Sequence, residues 1–235
     1  MVHYGASRVG TNISVTRGGS DLTAPVVNDL DVATVVAGRS LAENTGAFKG
    51  VVTAERRADD TVWLQSWRVD STGSVVTAVD EEQVKSTSGN LAFAASDVDV
   101  TVTGSFGGRE LIVVSSVLKS TGNLRVQSWT VSTTGQLARI EQYDGGGPVT
   151  QLSSSRTGSQ DVVVGMRQGP TQHTLLSFHV TSTGVLRRVG TRDAESLSTL
   201  ALAGRSDKED ILALFPDASG ELQLVRYITN YMWSL

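Results

Sequence analysis

Four times along the chain an aliphatic pair stands 16 and 15 residues ahead of an aromatic: Val51-Val52 before Trp67, Val113-Val114 before Trp129, Val162-Val163 before Phe178, and Ile211-Leu212 before Tyr227. A fixed interval of this kind marks a repeated supersecondary unit, and it constrains the fold more than any local propensity does. The words around the aromatics repeat as well. Leu64-Gln65-Ser66-Trp67-Arg68-Val69 returns as Leu124-Arg125-Val126-Gln127-Ser128-Trp129-Thr130-Val131, as Leu175-Leu176-Ser177-Phe178-His179-Val180, and as Leu222-Gln223-Leu224-Val225-Arg226-Tyr227.

Turn-formers fill each interval: Ala58-Asp59-Asp60, Ser120-Thr121-Gly122-Asn123, Gly169-Pro170 and Asp217-Ala218-Ser219-Gly220. Each unit therefore holds a hairpin. Six residues past the aromatic, Gly73, Gly135 and Gly184 open a second turn into a further strand. Upstream of each pair lies another β-like segment, at Val32 to Gly38, Val98 to Gly104, Val149 to Ser155, and Leu197 to Gly204. The apolar runs are short and broken by Gly or Asp, which is how strands read and helices do not. Each unit thus contains four strands, A to D in order.

Strand C carries a further constraint. Its aromatic and the aliphatic three residues earlier (Leu64, Val126, Leu175, Leu224) point to opposite faces, because side chains alternate along a strand. Both faces of the sheet must then be buried, as happens when a sheet is packed between two neighbours. The expectation is an all-β fold, a four-bladed β-propeller of four-stranded antiparallel blades at about 31–80, 97–143, 148–191 and 196–229, in one domain over residues 1–235. The fourth unit has no strand D after Tyr227. Tyr4 precedes Gly10 by six residues, the interval of the C-to-D turn, so a strand at 10–17 is expected to close the last blade. The same pattern is met if that strand crosses to a second copy, which makes a homo-oligomer built by strand exchange an alternative.

The run Val51-Val52-Thr53-Ala54-Glu55-Arg56, with Leu64-Gln65-Ser66-Trp67-Arg68-Val69 and the turn to Gly73, resembles a repeat of uncharacterised bacterial propeller-like proteins. The resemblance covers most of the chain and implies architecture, since its motif residues are structural. The signatures of WD, kelch and calcium-binding integrin-like repeats are absent. Asp70-Ser71-Thr72-Gly73 sits where sialidases carry their Asp-box turn but lacks the rest of that box, so no sialidase activity is implied.

Composition narrows function by exclusion. A net charge of -4, with 20 Lys and Arg spread along the chain, gives no concentrated basic surface for nucleic acid. No cysteine is present, which removes disulfides and thiolate chemistry. No stretch approaches the roughly 20 apolar residues of a membrane span, and the start lacks the pattern of a signal peptide. A soluble chain is expected, compatible with either a secreted or a cytoplasmic location.

Candidate ligand-binding residues fall in two groups. Arg39, Arg156 and Arg205 follow strand A, with Arg109 nearby in the second unit. On innermost strands they would ring one mouth of an axial channel, paired with Glu43, Glu110, Asp161 and Glu209 or with an anion such as phosphate, sulfate or a carboxylated sugar. Trp63 and Trp233 break the repeat and are candidate platforms for sugar rings. His3, His173 and His179 are too scattered for a metal site. Asp59-Asp60, Asp80-Glu81-Glu82 and Glu209-Asp210 read as solvated turns rather than paired catalytic acids. No catalytic residue, metal or cofactor is expected. The function expected is non-catalytic recognition of a glycan or protein surface, lectin-like, through the long D-to-A connections Gly18 to Leu30 and Asp80 to Asp97. An oligomer-building module and a hydrolase or lyase using channel-facing acids are the alternatives.

Overall fold

A computed structural model describes residues 2–9, 12–20, 27–37, 48–69, 76–88, 90–158, 160–169, 172–194, 201–204, 210–216 and 222–228. Those residues form strands, turns and connections. None of them is helical, and among the described residues no helix is long and apolar enough to cross a membrane. The first four-stranded sheet is β3 (Val27–Ala37), β4 (Phe48–Arg57), β5 (Val62–Val69) and β6 (Val76–Gln83). The second is β7 (Ala95–Phe106), β8 (Arg109–Leu118), β9 (Leu124–Val131) and β10 (Leu137–Asp144). The third is β11 (Gln151–Thr157), β12 (Asp161–Arg167), β13 (His173–Val180) and β14 (Leu186–Ala194). Three strands make the fourth: β15 (Ala201–Gly204), β16 (Asp210–Pro216) and β17 (Leu222–Ile228). Every sheet is an antiparallel meander in chain order. Among the described residues three A-to-D units are therefore present, with strands A to C of a fourth.

Register explains why the aliphatic-to-aromatic interval works, and where it slips. Val51 pairs with Trp67, Val162 with Phe178 and Ile211 with Tyr227, each 16 residues apart. In the second sheet the residue opposite Trp129 is Ile112, not Val113. Its B-to-C turn is one residue longer, between Val117 and Leu124, closed by Leu118 N–H donating to Asn123 O at 2.8 Å. The slip is harmless because Leu111 to Val114 is apolar throughout and buried on both faces. A bulge recurs in every C–D pair at the aromatic, between Ser66 and Trp67, opposite Arg139 to Glu141, and between Ser177 and Phe178. A bulge of this kind bends the strand and increases its local twist.

The faces are buried as the alternation in strand C requires. Trp129 packs with Ile112, Val52 and Leu64 between the first and second sheets, whereas Val126 packs with Leu111, Val164 and Phe178 between the second and third. Leu175, on the opposite face from Phe178, meets Val163 and Ile211 between the third and fourth. Successive sheets approach most closely along β3, β7, β11 and β15 and more thinly at their fourth strands. The array is a fan of wedges.

Two sets of side-chain latches tie the wedges together. Along the inner strands, Asp97 Oδ2 accepts from Leu152 N at 2.9 Å, and Asp99 accepts from Ser154 N at 3.0 Å and Ser154 Oγ at 2.5 Å. Ser153 Oγ then accepts from Leu202 N at 3.3 Å, and Ser155 Oγ from Gly204 N at 2.6 Å. Edge N–H groups that a strand neighbour would otherwise satisfy are thus satisfied by the preceding sheet. On the outer strands, Asp80 Oδ2 accepts from Leu137 N at 2.7 Å and Glu141 Oε2 from Leu186 N at 2.6 Å.

Two expectations meet a different arrangement. Residues 12–17 of the expected closing strand lie in β2 (Asn12–Ser20), which pairs with β1 (Val2–Val9) as a separate two-stranded sheet rather than with β17 among the described residues. Gly10 and Thr11, between these two antiparallel strands, lie outside the described residues. The connection from Asp80 to Asp97 is no free loop. It folds back as a small ribbon, with bridges Lys85↔Ala92 and Thr61↔Ala94, burying Val84 and packing Phe93 into the first inter-sheet core. Lys85 O accepts from Gln127 Nε2 at 2.7 Å and Arg139 Nη1 at 2.5 Å, which seals the first sheet against the second.

Candidate functional site

In a meander the A-to-B and C-to-D turns lie at one end of each sheet and the B-to-C and D-to-A connections at the other. The mouth of each inter-sheet groove at the A-to-B end is set by one cross-strand pair, the residue just after the aromatic and its partner on strand B. These pairs are Gly50↔Arg68, Leu111↔Thr130, Asp161↔His179 and Asp210↔Ile228 in the four sheets.

The side chain at that position decides whether the groove is open. Between the first and second sheets Arg68 Nη2 reaches across to Thr134 O at 3.5 Å, and Ser66 Oγ donates to Gly135 O at 2.6 Å. An exposed arginine thus spans the mouth of that groove. In the second sheet the equivalent residue is Thr130, which is too short to cross. A cleft of about 860 Å³ opens there toward the third sheet, lined by Phe106, Arg109, Leu111, Thr130, Ile140, Thr183 and their neighbours. In the third sheet His179 Nδ1 and Asp161 Oδ1 lie 2.7 Å apart and fill the corresponding corner with a polar pair.

The cleft combines three kinds of surface. Leu111, Phe106 and Ile140 provide an apolar wall continuous with the second inter-sheet core. Thr130, Ser182 and Thr183 contribute hydroxyls, the last two from the C-to-D turn of the third sheet. That turn is pressed onto Ile140: Gly184, at φ +85, has no room for a Cβ beside the Ile140 side chain. The third surface is Arg109, exposed at the rim and sharing the face of Leu111 and Val113. Arg139 also borders the cleft. Its pairing with Trp129 turns the side chain to the other face, where Nη1 holds Lys85 O.

Of Arg39, Arg156, Arg205, Trp63 and Trp233, the described ones are Trp63 and Arg156, which lie at opposite ends of different sheets. Arg156 lies in β11 at the A-to-B end of the third sheet, with Nε donating to Gly158 O at 3.0 Å. Trp63 lies at the start of β5, at the opposite end of the first sheet. One face of its ring is covered by the Arg57 guanidinium at 4.1 Å, and Arg57 is itself paired with Glu81. Its indole N–H donates to Thr61 Oγ1 at 2.9 Å. Arg39, Arg205 and Trp233 lie outside the described residues.

Asp59, Asp60, Asp80 and Glu81 of the acidic runs are engaged in structure, and Glu209 lies outside the described residues. Asp59 accepts from Thr61 N and Oγ1, which holds its carboxyl below the usual range. Asp60 pairs with Arg56 at 2.7 Å and with Lys119. Asp80 is an inter-sheet latch. Thr130, Ser182 and Thr183 escape a motif search because they have no signature chemistry. The signal that finds them is positional: a small residue where the first unit has Arg68 and the third has His179.

No protein-family model matches the chain, and no curated protein does. Solved structures do. A lectin of *Aleuria aurantia*, described as a six-bladed β-propeller with a novel fucose recognition mode, matches over 94% of this chain with a TM-score of 0.54 and 14% identity. The fold is that of a β-propeller. Two further propeller-length matches are SapL1 lectin, solved with alpha methyl fucoside (TM-score 0.57, 12% identity, 96% of this chain), and a protein from *Lactobacillus plantarum* (TM-score 0.50, 13% identity, 97% of this chain). The present propeller chain spans about two thirds of their length: 66% of the *Aleuria* lectin, 69% of SapL1 and 68% of the *Lactobacillus* protein. At such identities the likeness concerns the fold.

Proposed function

We propose that this chain is a non-catalytic recognition module that binds a saccharide in the cleft between its second and third sheets. The observation that carries the proposal is the cleft itself, where an apolar wall of Phe106, Leu111 and Ile140 faces the hydroxyls of Thr130, Ser182 and Thr183. A sugar ring has the matching surfaces: apolar C–H patches and a rim of hydroxyls that seek hydrogen-bond partners. The fucoside-binding lectins of similar fold support the same direction by analogy, since one fold hosts many functions. The site belongs to the A-to-B end, because the Asp80 to Asp97 connection at the other end is occupied in holding two sheets together.

Thr130→Arg tests it. Arg68 occupies the equivalent position in the first sheet, so the larger side chain is compatible with the fold and fills the cleft. On a glycan array the wild-type chain binds a defined set of saccharides and Thr130→Arg loses them, with the thermal midpoint unchanged. Equal binding by the variant, or no saccharide bound by either protein, would sink the proposal.

A second reading concerns the ends of the fan. A four-bladed ring closed by the strand at 10–17, within one chain or by exchange between two, is favoured by one observation. Leu224 is 63% exposed, whereas Leu64 and Leu175, at the same repeat position, and Val126 are 0% exposed. That face of the fourth sheet is suited to a covering sheet. Light scattering decides between closure within a chain, which gives a monomer, and exchange, which gives a defined oligomer.

A further inference from the structure

We infer that the ligand of this cleft is an acidic saccharide, bearing a carboxylate or a sulfate ester, and that Arg109 is the group that holds its charge. The inference rests on the recognition role proposed above and narrows it to a ligand class.

The placement of Arg109 is set by the backbone. It opens β8, pairs with Phe106 across the A-to-B turn at Gly107-Gly108, and alternates with Leu111 and Val113 on the face toward the third sheet. Its guanidinium is therefore carried at the rim of an apolar wall, where a charged hydrogen bond is stronger than in open water. Among the described residues no hydrogen bond or ion pair engages it, and none of the described residues lining the cleft is acidic. The nearest carboxylates in sequence are directed elsewhere. Glu110 alternates to the opposite face and is buried, and Glu141 is committed to Leu186 N.

Arg68 makes the contrast. At the neighbouring groove a guanidinium is consumed by a backbone carbonyl of the facing turn, Thr134 O. Arg139, the other arginine at the cleft, is consumed by Lys85 O on the far face. Arg109 has five N–H donors in a planar fork and meets neither kind of acceptor. A carboxylate or sulfate offers paired oxygens in matching geometry. The hydroxyls of Thr130, Ser182 and Thr183 then face the ring hydroxyls of the sugar that carries the anion. A neutral saccharide uses the wall and the hydroxyls and leaves the guanidinium to water.

The test compares sialylated or uronate-bearing, sulfated, and neutral fucosylated glycans on one array, followed by calorimetry at low and high salt. Wild-type chain is expected to prefer one or both acidic classes, with affinity falling as salt rises. Arg109→Gln is expected to lose about tenfold or more toward the acidic glycan, with Arg109→Lys intermediate, because it keeps the charge and loses the fork. Unfolding midpoints of both variants should match wild type, as Arg109 is exposed. The carboxylate and sulfate arms identify the source of the charge. Wild-type chain that binds neutral glycans more tightly than either acidic class would overturn the acidic inference and leave saccharide recognition standing. Acidic glycans bound unchanged by Arg109→Gln would also overturn it. Failure of every saccharide class would remove both.

Discussion

At the scale of single residues, the tightest constraint is where two inner strands nearly touch. A Cβ on Gly204 would overlap the Arg156 carbonyl oxygen, a backbone atom that cannot swing aside. Gly204→Ala should therefore part β11 from β15 and cost roughly 1–3 kcal/mol, read from urea unfolding. His173 supplies a pH dependence. Its ring is buried between strands, and burial, with the Arg167 charge as a lesser cause, pushes the imidazole below its usual value of 6.5. Above that value both folded and unfolded forms are neutral and stability is flat. As pH falls below it, the unfolded chain takes up the proton and the folded chain does not, so stability declines. His173→Gln should flatten this acid slope, measured by thermal midpoints between neutral pH and about pH 5. Not all of this scale was legible in the sequence. Trp63 does break the repeat, as read, but pairing with Arg57 is a contact that only the fold creates. Thr130 is informative only once strands are aligned, because its smallness matters against Arg68 and His179.

At the scale of elements, the latches between sheets are the least expected feature. Asp97-Val98-Asp99 reads as a polar strand, and Asp80 as part of a solvated acidic turn. Both instead carry carboxylates that accept backbone N–H groups of the following sheet. Sequence shows the residue types but not their targets, which lie 55 or 57 positions away. Hydrogen bonds to charged groups contribute about 1.5–3 kcal/mol, and neutral ones about 0.5–1.5 kcal/mol. Asp99→Ala should accordingly destabilise more than Ser153→Ala, and chemical denaturation of the two variants compares them directly. The B-to-C turns were readable from Gly, Asn and Asp, and so was the hairpin each one closes. The extra residue in the second turn was not, since it leaves an apolar residue opposite Trp129 either way.

At the scale of the whole molecule, the repeat was the most legible property because it reflects a repeated environment. Trp129 at 3% and Phe178 at 0% exposure show one packing solution used between successive sheets, and Trp67 is buried to the same degree at 2%. How the fan ends was less legible, because pairing between distant strands leaves no periodic trace. Truncating the same repeat position in different sheets probes it. Leu175→Ala should cost about 2–5 kcal/mol. Leu224→Ala should stay within about 0.5 kcal/mol where that face is uncovered; a large effect that depends on protein concentration would mean that another copy covers it, and a large effect that does not would mean closure within the chain.

The latches have one more consequence. In the latches from Asp80, Asp97, Asp99, Glu141, Ser153 and Ser155 the acceptor side chain belongs to the earlier sheet and the backbone donor to the later one, so this set of links has a polarity, like hooks that face one way. A unit copied in frame would meet a compatible neighbour on each side. Growth or shrinkage of such a protein by whole units therefore demands no new joint, and the number of sheets becomes a quantity that gene duplication can tune.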